Sequence, residues 1–419
     1  MNRKIAPELS KIKQVDLLNP KKIDLGNDID LFWINDIPDD TVKLDLIWDA
    51  GSKYQNKPLI SQFCNHLLFS GNDNLSAKEI ATKIDEFGGY LSHQIDRDHA
   101  GFTVFGLTKE ISSIFDIIQS AFMNNDFVES EVNKWRDIKK KEFDLNEEKV
   151  NIKARRLFIK SLVGKEHPYG KFATKNDFDL VNRKDLKSFF KVHYVQKKPA
   201  IFLVGNVSKS FIGELKTFAS FFSETHTPLN VSPTIQSKGS VYKTKADAVQ
   251  TAIRVGRLCM NKKDSDFIPF QILNVVLGGY FGSRLMTNIR EDKGYTYGIG
   301  SGISVQQDLS YFFISTEVGI NKREDTLKEI YFELEKLRTE LIPQSELLIV
   351  KNYMLGSFLR NSDGAIAMME KNKNLYFQNL SKSYYNHYIS TINDITPDRL
   401  REIAIKYFDK SDFSEVSFG

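Results

Sequence analysis

The sequence predicts an α+β chain of two similar domains, each an antiparallel-rich sheet with helices packed on one face. Three observations carry this. First, the chain of 419 residues is too long for one ordinary core. Second, a loop-like stretch near the middle, residues 228–240, holds Pro228, Pro233, Gly239 and several small polar residues, and reads as a linker between domains 1–227 and 241–419. Third, the two halves echo each other at an offset of 214 residues, from Asn182 to Thr396 and from Gly205 to Gly419.

The elements follow in order. Leu59 to Phe69 reads as a helix, because Leu59, Ile60, Phe63, Cys64, Leu67 and Leu68 fall on one arc at roughly 100° per residue. Its other arc carries Gln62, Asn65 and His66 at i, i+3 and i+4, where side chains of one helix face meet. Phe87-Gly88-Gly89-Tyr90 leads into strand-like sequence through Phe102 to Phe105, and Ile111 to Phe122 is an amphipathic helix. Asn182, with Asp185 at N3, caps a helix that precedes an apolar strand at Ala200 to Gly205. In the second half Thr396, with Pro397 at N1, caps the equivalent helix before Val416 to Gly419. A helix starting after Ser265 ends at Gly278-Gly279, and another runs from Ser283 to Lys293. It stops at Gly294, the position after a helix where glycine takes a left-handed conformation cheaply. From Tyr295 to Val305 large and small residues alternate with period two, which predicts a strand whose small face admits close packing. Strand-like Ser310 to Ser315 and a helix from Arg323 to Leu337 complete that half.

Composition excludes several classes. With 41% apolar and 27% charged residues the chain is globular rather than disordered. Net charge is only +4, and the basic clusters Lys139-Lys140-Lys141 and Lys197-Lys198 are short, so no nucleic-acid partner is expected. No apolar run approaches the about 18 residues of a membrane span. Cys64 and Cys259 are too few for a disulfide framework and read as buried thiols. Without an apolar leader after Met1 to Pro7, a cytoplasmic location is expected.

Three motifs invite chemistry and two are set aside. Gly298, Gly300 and Gly302 lie inside a strand pattern, so the dinucleotide-binding context is absent. His93 and His99, with Asp96 and Asp98 between them, read as a hairpin rather than as metal ligands. At the third, Arg290 on the last turn of a helix and Tyr297 early on the next strand are placed to converge. An Arg and a Tyr hydroxyl together stabilise a developing oxyanion, an effect of about 10²–10³ in rate where such donors have been removed. The ordinary reading is that Arg290 pairs with Glu291 or Asp292 and that Tyr297 packs in the core.

The chain resembles the pitrilysin/insulinase family of zinc peptidases, especially its small bacterial members and the mitochondrial processing peptidase subunits. The resemblance rests on Ala50-Gly51-Ser52, His66-Leu67-Leu68-Phe69-Ser70-Gly71, Phe87-Gly88-Gly89, His167-Pro168-Tyr169-Gly170, Leu277 to Leu285, and Arg290-Glu291-Asp292-Lys293-Gly294-Tyr295-Thr296-Tyr297. It implies a pair of homologous α+β domains of the processing-peptidase type, associating into a chamber that holds an extended peptide against a sheet edge. The family's His-x-x-Glu-His helix binds zinc through two His and a distal Glu, with the motif Glu as general base. Those places fall here at Gln62, Asn65 and His66, and the distal ligand at Glu142 or Phe143 depending on the end from which one counts. An amide is a poor zinc ligand and takes up no proton at neutral pH, so this chain is expected to bind no zinc and to have no catalytic residues of its own. The family's substrate-binding Arg and Tyr match Arg290 and Tyr297. The resemblance therefore implies a non-catalytic subunit of a heterodimeric zinc endopeptidase, with zinc on a homologous partner. Two alternatives stand beside it. One is a structural or peptide-binding protein with no part in hydrolysis. The other is an active enzyme with atypical ligands, such as His66 with Glu142 or with His93.

Overall fold

The computed structural model describes residues 12–72, 74–223 and 238–419. The leader reading at Met1 to Pro7 and most of the linker at 228–240 lie outside the described residues. Among the described residues there are eleven strands: β1 (Lys21–Asp24), β2 (Asp30–Ile34), β3 (Thr41–Trp48), β4 (Tyr90–Ile95), β5 (Ala100–Leu107), β6 (Ala200–Val204), β7 (Gly239–Lys243), β8 (Gln250–Cys259), β9 (Ile299–Val305), β10 (Ser310–Gly319) and β11 (Ser414–Phe418). They form a six-stranded sheet, in the order β1-β2-β6-β3-β5-β4, and a five-stranded sheet, in the order β7-β11-β8-β10-β9. The described chain divides into two compact units, Leu18–Val255 with Ser414–Gly419, and Gly256–Phe413 with the residues before Leu18. The expected α+β class is what is observed.

In the first unit β3 is the organising strand, antiparallel to β5 on one side and to β6 on the other. Its alternation sets Val42, Leu44, Leu46 and Trp48 into the core, with Lys43 and Asp45 on the opposite face, paired at 3.3 Å. Trp48 is the hub of that core. Its ring lies 5.2 to 5.8 Å from Tyr194, Phe122, Phe222 and Phe102, separations at which tilted and edge-on aromatic pairs attract. The amphipathic helix Ile111–Met123 forms as the pattern predicts and buries Ile111, Ile114, Phe115, Ile118 and Phe122.

The helix expected over 59–69 is shorter, Ile60–His66. Leu59 stands at φ +73° before it, and beyond it the chain turns to Gly71 at φ +91°. There a Cβ would meet the Leu75 carbonyl oxygen at 2.4 Å. Leu67, Leu68 and Phe69 are buried nonetheless. Apolar periodicity reported their burial but not the turn that delivers them.

The second unit follows its sequence reading except at the strand expected over 295–305: β9 begins at Ile299, so Tyr297 lies in the irregular segment before the strand and not on it. The helix Phe267–Asn274 continues as a π-helical turn to Gly279, and Met286–Asp292 leads to Gly294 at φ +63°. β9 packs closely on the preceding helix through Ser301, on the face opposite Gly300 and Gly302. A Cβ on Gly278 would meet Ser301 Oγ at 2.6 Å, and Ser301 Oγ itself donates to the Asn274 carbonyl at 3.2 Å. A Cβ on Gly300 would meet the Gly278 carbonyl oxygen at 3.3 Å and one on Gly302 the cross-strand Phe313 ring at 3.0 Å, while Gly298 just before the strand faces open space, so the three glycines sit in and before a strand and form no phosphate cradle.

Both expected caps are in place. Asn182 Oδ1 accepts from the Asp185 N–H at 3.0 Å, and Thr396 Oγ1 from the Arg399 N–H at 3.3 Å. Asn182→Ala is expected to cost about 1 kcal/mol of stability, read as a lower midpoint in urea with an unchanged slope.

Candidate functional site

The helix Ile60–His66 distributes its three polar residues unequally. Gln62 is exposed, His66 is half-buried, and Asn65 is fully buried. The Asn65 amide is used at both ends: Nδ2 donates to the Gln94 carbonyl at 2.9 Å, and Oδ1 accepts from the Tyr194 hydroxyl at 2.9 Å. It ties this helix to the edge strand β4 and to the turn that carries Tyr194. An amide suits that place because it both donates and accepts, whereas a carboxylate would face a carbonyl oxygen.

His66 meets two aromatic neighbours. The Trp135 indole stacks on its ring, centroids 3.4 Å apart and 10° from parallel, and the His93 ring lies 4.9 Å away. On Trp135, in turn, rests the Lys139 ammonium at 4.3 Å from the ring centroid, and Lys139 also pairs with Glu142 at 2.7 Å. Burial, then His93 and Lys139, bring the His66 pKa down to about 3. Burial lowers His93 to about 4, against the opposing effect of a hydrogen bond to the Asn65 backbone. Both imidazoles are neutral at physiological pH.

The two candidates for the distal ligand go elsewhere. The Glu142 carboxylate is engaged by Lys139 on the surface of the helix Glu129–Glu147. Phe143 packs edge-on against Phe178 at 5.3 Å, beneath the Arg156 guanidinium. The hairpin His and Asp residues are also committed, since Asp98 pairs with Lys53 at 3.1 Å and His99 lies 3.6 Å from Asp49. Among the described residues no group of three or more His, Cys, Asp and Glu side chains could hold a metal ion. Two neutral imidazoles, a stacked indole and an ammonium do not fit a catalytic zinc, which takes three protein ligands. Trp135 was absent from the sequence reading, and Lys139 entered it only as part of a short basic cluster. The available signal was their spacing from Glu142, two turns and one turn back along the same helix, which places all three on one side.

Histidine burial has a consequence for pH. Besides His66 and His93, His193 is held at about 4 by burial, with a smaller contribution from Lys197. As pH falls from 6.5, the unfolded chain takes up protons at these positions and the folded chain does not, so stability falls with it. Each histidine accounts for at most about 2 kcal/mol between pH 6.5 and about 5, less at half-buried His66. Thermal midpoints are expected to drop over that interval, and more steeply than for a His193→Phe variant.

In the second unit Arg290 and Tyr297 flank the turn at Gly294. Thr296 pins this segment, its Oγ1 donating to the Glu317 carbonyl at 2.7 Å and accepting from the Gly298 N–H at 3.1 Å. The neighbouring Tyr297 side chain projects outward and is 94% exposed. The Arg290 guanidinium lies over the Phe281 ring at 4.7 Å and, among the described residues, pairs with no carboxylate. The ordinary readings, an ion pair to Glu291 or Asp292 and a core tyrosine, are not what is observed.

Residues 32–167 match the family model described as insulinase (peptidase family M16), and residues 180–354 match the one described as peptidase M16 inactive domain. An uncharacterized zinc protease of Bacillus subtilis (strain 168), YmxG, is 24% identical over 368 residues, covering 86% of this chain and 89% of its own length. An uncharacterized zinc protease of Rickettsia felis is 26% identical over 332 residues, covering 76% and 78%. Among solved structures, a peptidase M16 inactive domain from Pseudomonas fluorescens shares the fold with a TM-score of 0.86 at 21% identity, over 96% of this chain and 98% of that one. A protease from Helicobacter pylori shares it with a TM-score of 0.83 at 19% identity, over 96% and 100%. With two models of one family matched in succession along most of its length, the chain belongs to the insulinase (M16) family of peptidases, the pitrilysin-type zinc peptidases.

Proposed function

We propose that this chain is the non-catalytic subunit of a two-chain zinc endopeptidase, in which it binds peptide and stabilises the carbonyl under attack. The observation that carries the reading is the fate of Asn65. The residue standing where the family places its general base is buried and consumed by Gln94 and Tyr194. Trp135 covers the neighbouring His66. In this reading zinc belongs to a homologous chain with an intact His-x-x-Glu-His helix, and this chain needs none.

The peptide would lie extended along a sheet edge. β4 is an edge strand of its sheet, with Tyr90 and Ile95 exposed, and offers unpaired backbone groups for strand addition. Arg290, free of carboxylates, and the projecting Tyr297 hydroxyl are the donors for a substrate carbonyl oxygen. They act by hydrogen bonding alone and move no proton. No helix among the described residues is long and apolar enough to cross a membrane. The free thiols of Cys64 and Cys259 suit the reducing cytoplasm, where this reading sets the pair.

The test is reconstitution. The purified chain should carry less than stoichiometric zinc and cut no peptide, and mixing with a zinc-bearing homologue should give a stable complex that does. Peptide hydrolysis by the isolated chain, abolished by His66→Ala, would overturn the proposal. A complex whose turnover is the same with and without this subunit would favour a purely structural role.

A further inference from the structure

We infer that the first unit holds a second binding site, a cationic cleft that takes the acidic side chains of the peptide. The inference rests on the peptide-binding reading above. The cleft has a volume of about 500 Å³, within the range of roughly 300–1,000 Å³ typical of ligand sites. It opens between the end of the helix Glu129–Glu147, the helix Val150–Val163, the segment around Phe172, and the strands β7 and β11.

Its walls combine three phenylalanines with an excess of positive charge. Five cationic side chains line it against two acidic ones, Asp144 and Glu147. Both carboxylates are already taken. Asp144 pairs with Lys175 at 2.8 Å, and Glu147 pairs with Arg156. Among the described residues Lys153, Lys160 and Lys243 form no direct ion pair with a carboxylate; the nearby Glu148 carboxylate feels Lys153 but is bonded to Lys245, so positive charge is in excess around the opening. A set of like charges held together in this way lowers its energy by taking up an anion.

The aromatic rings sharpen the chemistry. Arg97 lies over Phe172 at 4.8 Å, Arg156 over Phe143 at 5.1 Å, Lys153 over Phe418 at 5.6 Å and Lys160 over Phe172 at 5.9 Å. Cations over ring faces are held in place; Arg97 and Arg156 also spend N–H groups on the Lys171 carbonyl and on Glu147, which leaves Lys153 and Lys160 as the donors for a ligand. The cations also occupy faces on which a flat base would stack, so the cleft offers charge rather than a stacking platform. Phe143 gains a purpose here. At one of the two places where the family's distal zinc ligand falls, this chain sets a ring that helps to wall an anion site.

The experiment uses the full chain and fluorescence anisotropy, with a labelled extended peptide carrying several Glu and a second with every Glu replaced by Gln. The Glu peptide should bind more tightly, and Lys153→Gln/Lys160→Gln should weaken its binding by about tenfold or more while leaving the Gln peptide unaffected. Lys153→Glu/Lys160→Glu should abolish the preference, with circular dichroism confirming the native fold of both variants. Equal binding of the two peptides, or variants indistinguishable from the parent, would overturn the inference and leave the peptide-binding reading standing. Failure of every peptide to bind, alone and in the reconstituted complex, would sink both. Inorganic pyrophosphate binding more tightly than the Glu peptide would overturn it in favour of a phosphate site.

Discussion

Arg290→Ala is expected to lower turnover of the reconstituted peptidase by about 10²–10³-fold while leaving complex formation intact. The guanidinium is supported only by the Phe281 ring and carries no ion pair among the described residues, so its removal disturbs little of the fold. In the proposed role what is lost is a charged donor to a substrate oxygen, and such donors gain strength as negative charge develops there. The effect should therefore appear mainly in kcat. Tyr297→Phe removes only a hydroxyl from a side chain that is 94% exposed. It should cost less than Arg290→Ala and leave the melting temperature unchanged. The two losses should combine by less than their product if both donors serve one oxygen. Steady-state kinetics with an extended peptide, and size-exclusion chromatography of the mixed subunits, check both parts. Full activity of the Arg290→Ala complex would remove the basis for assigning this pair a role.

The second large effect is expected from an attempt to rebuild the missing motif. Asn65→Glu, alone or with Gln62→His, restores the family's letters but should destabilise the chain by about 3–5 kcal/mol and recruit no stoichiometric zinc. The reason is local. Asn65 is wholly buried, and its Nδ2 donates to the Gln94 carbonyl. A carboxylate there sets a buried negative charge against a carbonyl oxygen, and the added methylene must enter a filled core. The Tyr194 hydroxyl could still donate to it, but one neutral donor does not offset the charge. Trp135 would remain stacked on His66 and Lys139 beside it. Urea unfolding and elemental analysis test this, with Asn65→Asp as the shorter control. A double variant as stable as the parent and loaded with zinc would show the site to be only two residues from function.

Much of the fold was legible because it depends on short-range rules. The caps at Asn182 and Thr396, the left-handed Gly294, the alternation along β9 and the amphipathic helix at Ile111 each follow from a few neighbouring residues. The helix at 59–69 was read too long, because apolar spacing records burial and cannot distinguish the last helical turn from a buried bend toward Gly71. The polar arc Gln62, Asn65 and His66 was visible as a pattern. Its inequality was not, since burial of Asn65 and exposure of Gln62 depend on what packs against the helix.

From the sequence alone came the family, the two-part α+β plan, the absence of a chemically competent base on the motif helix, and the seven-residue spacing of Arg290 and Tyr297. Only the tertiary structure decided that Asn65 serves β4 and Tyr194, that Trp135 and Lys139 stand at His66, and that Tyr297 points outward. The physical reason is range. A residue type fixes whether a side chain can ligate a metal or move a proton, but which groups it meets depends on residues tens of positions away, brought to it by burial of the core.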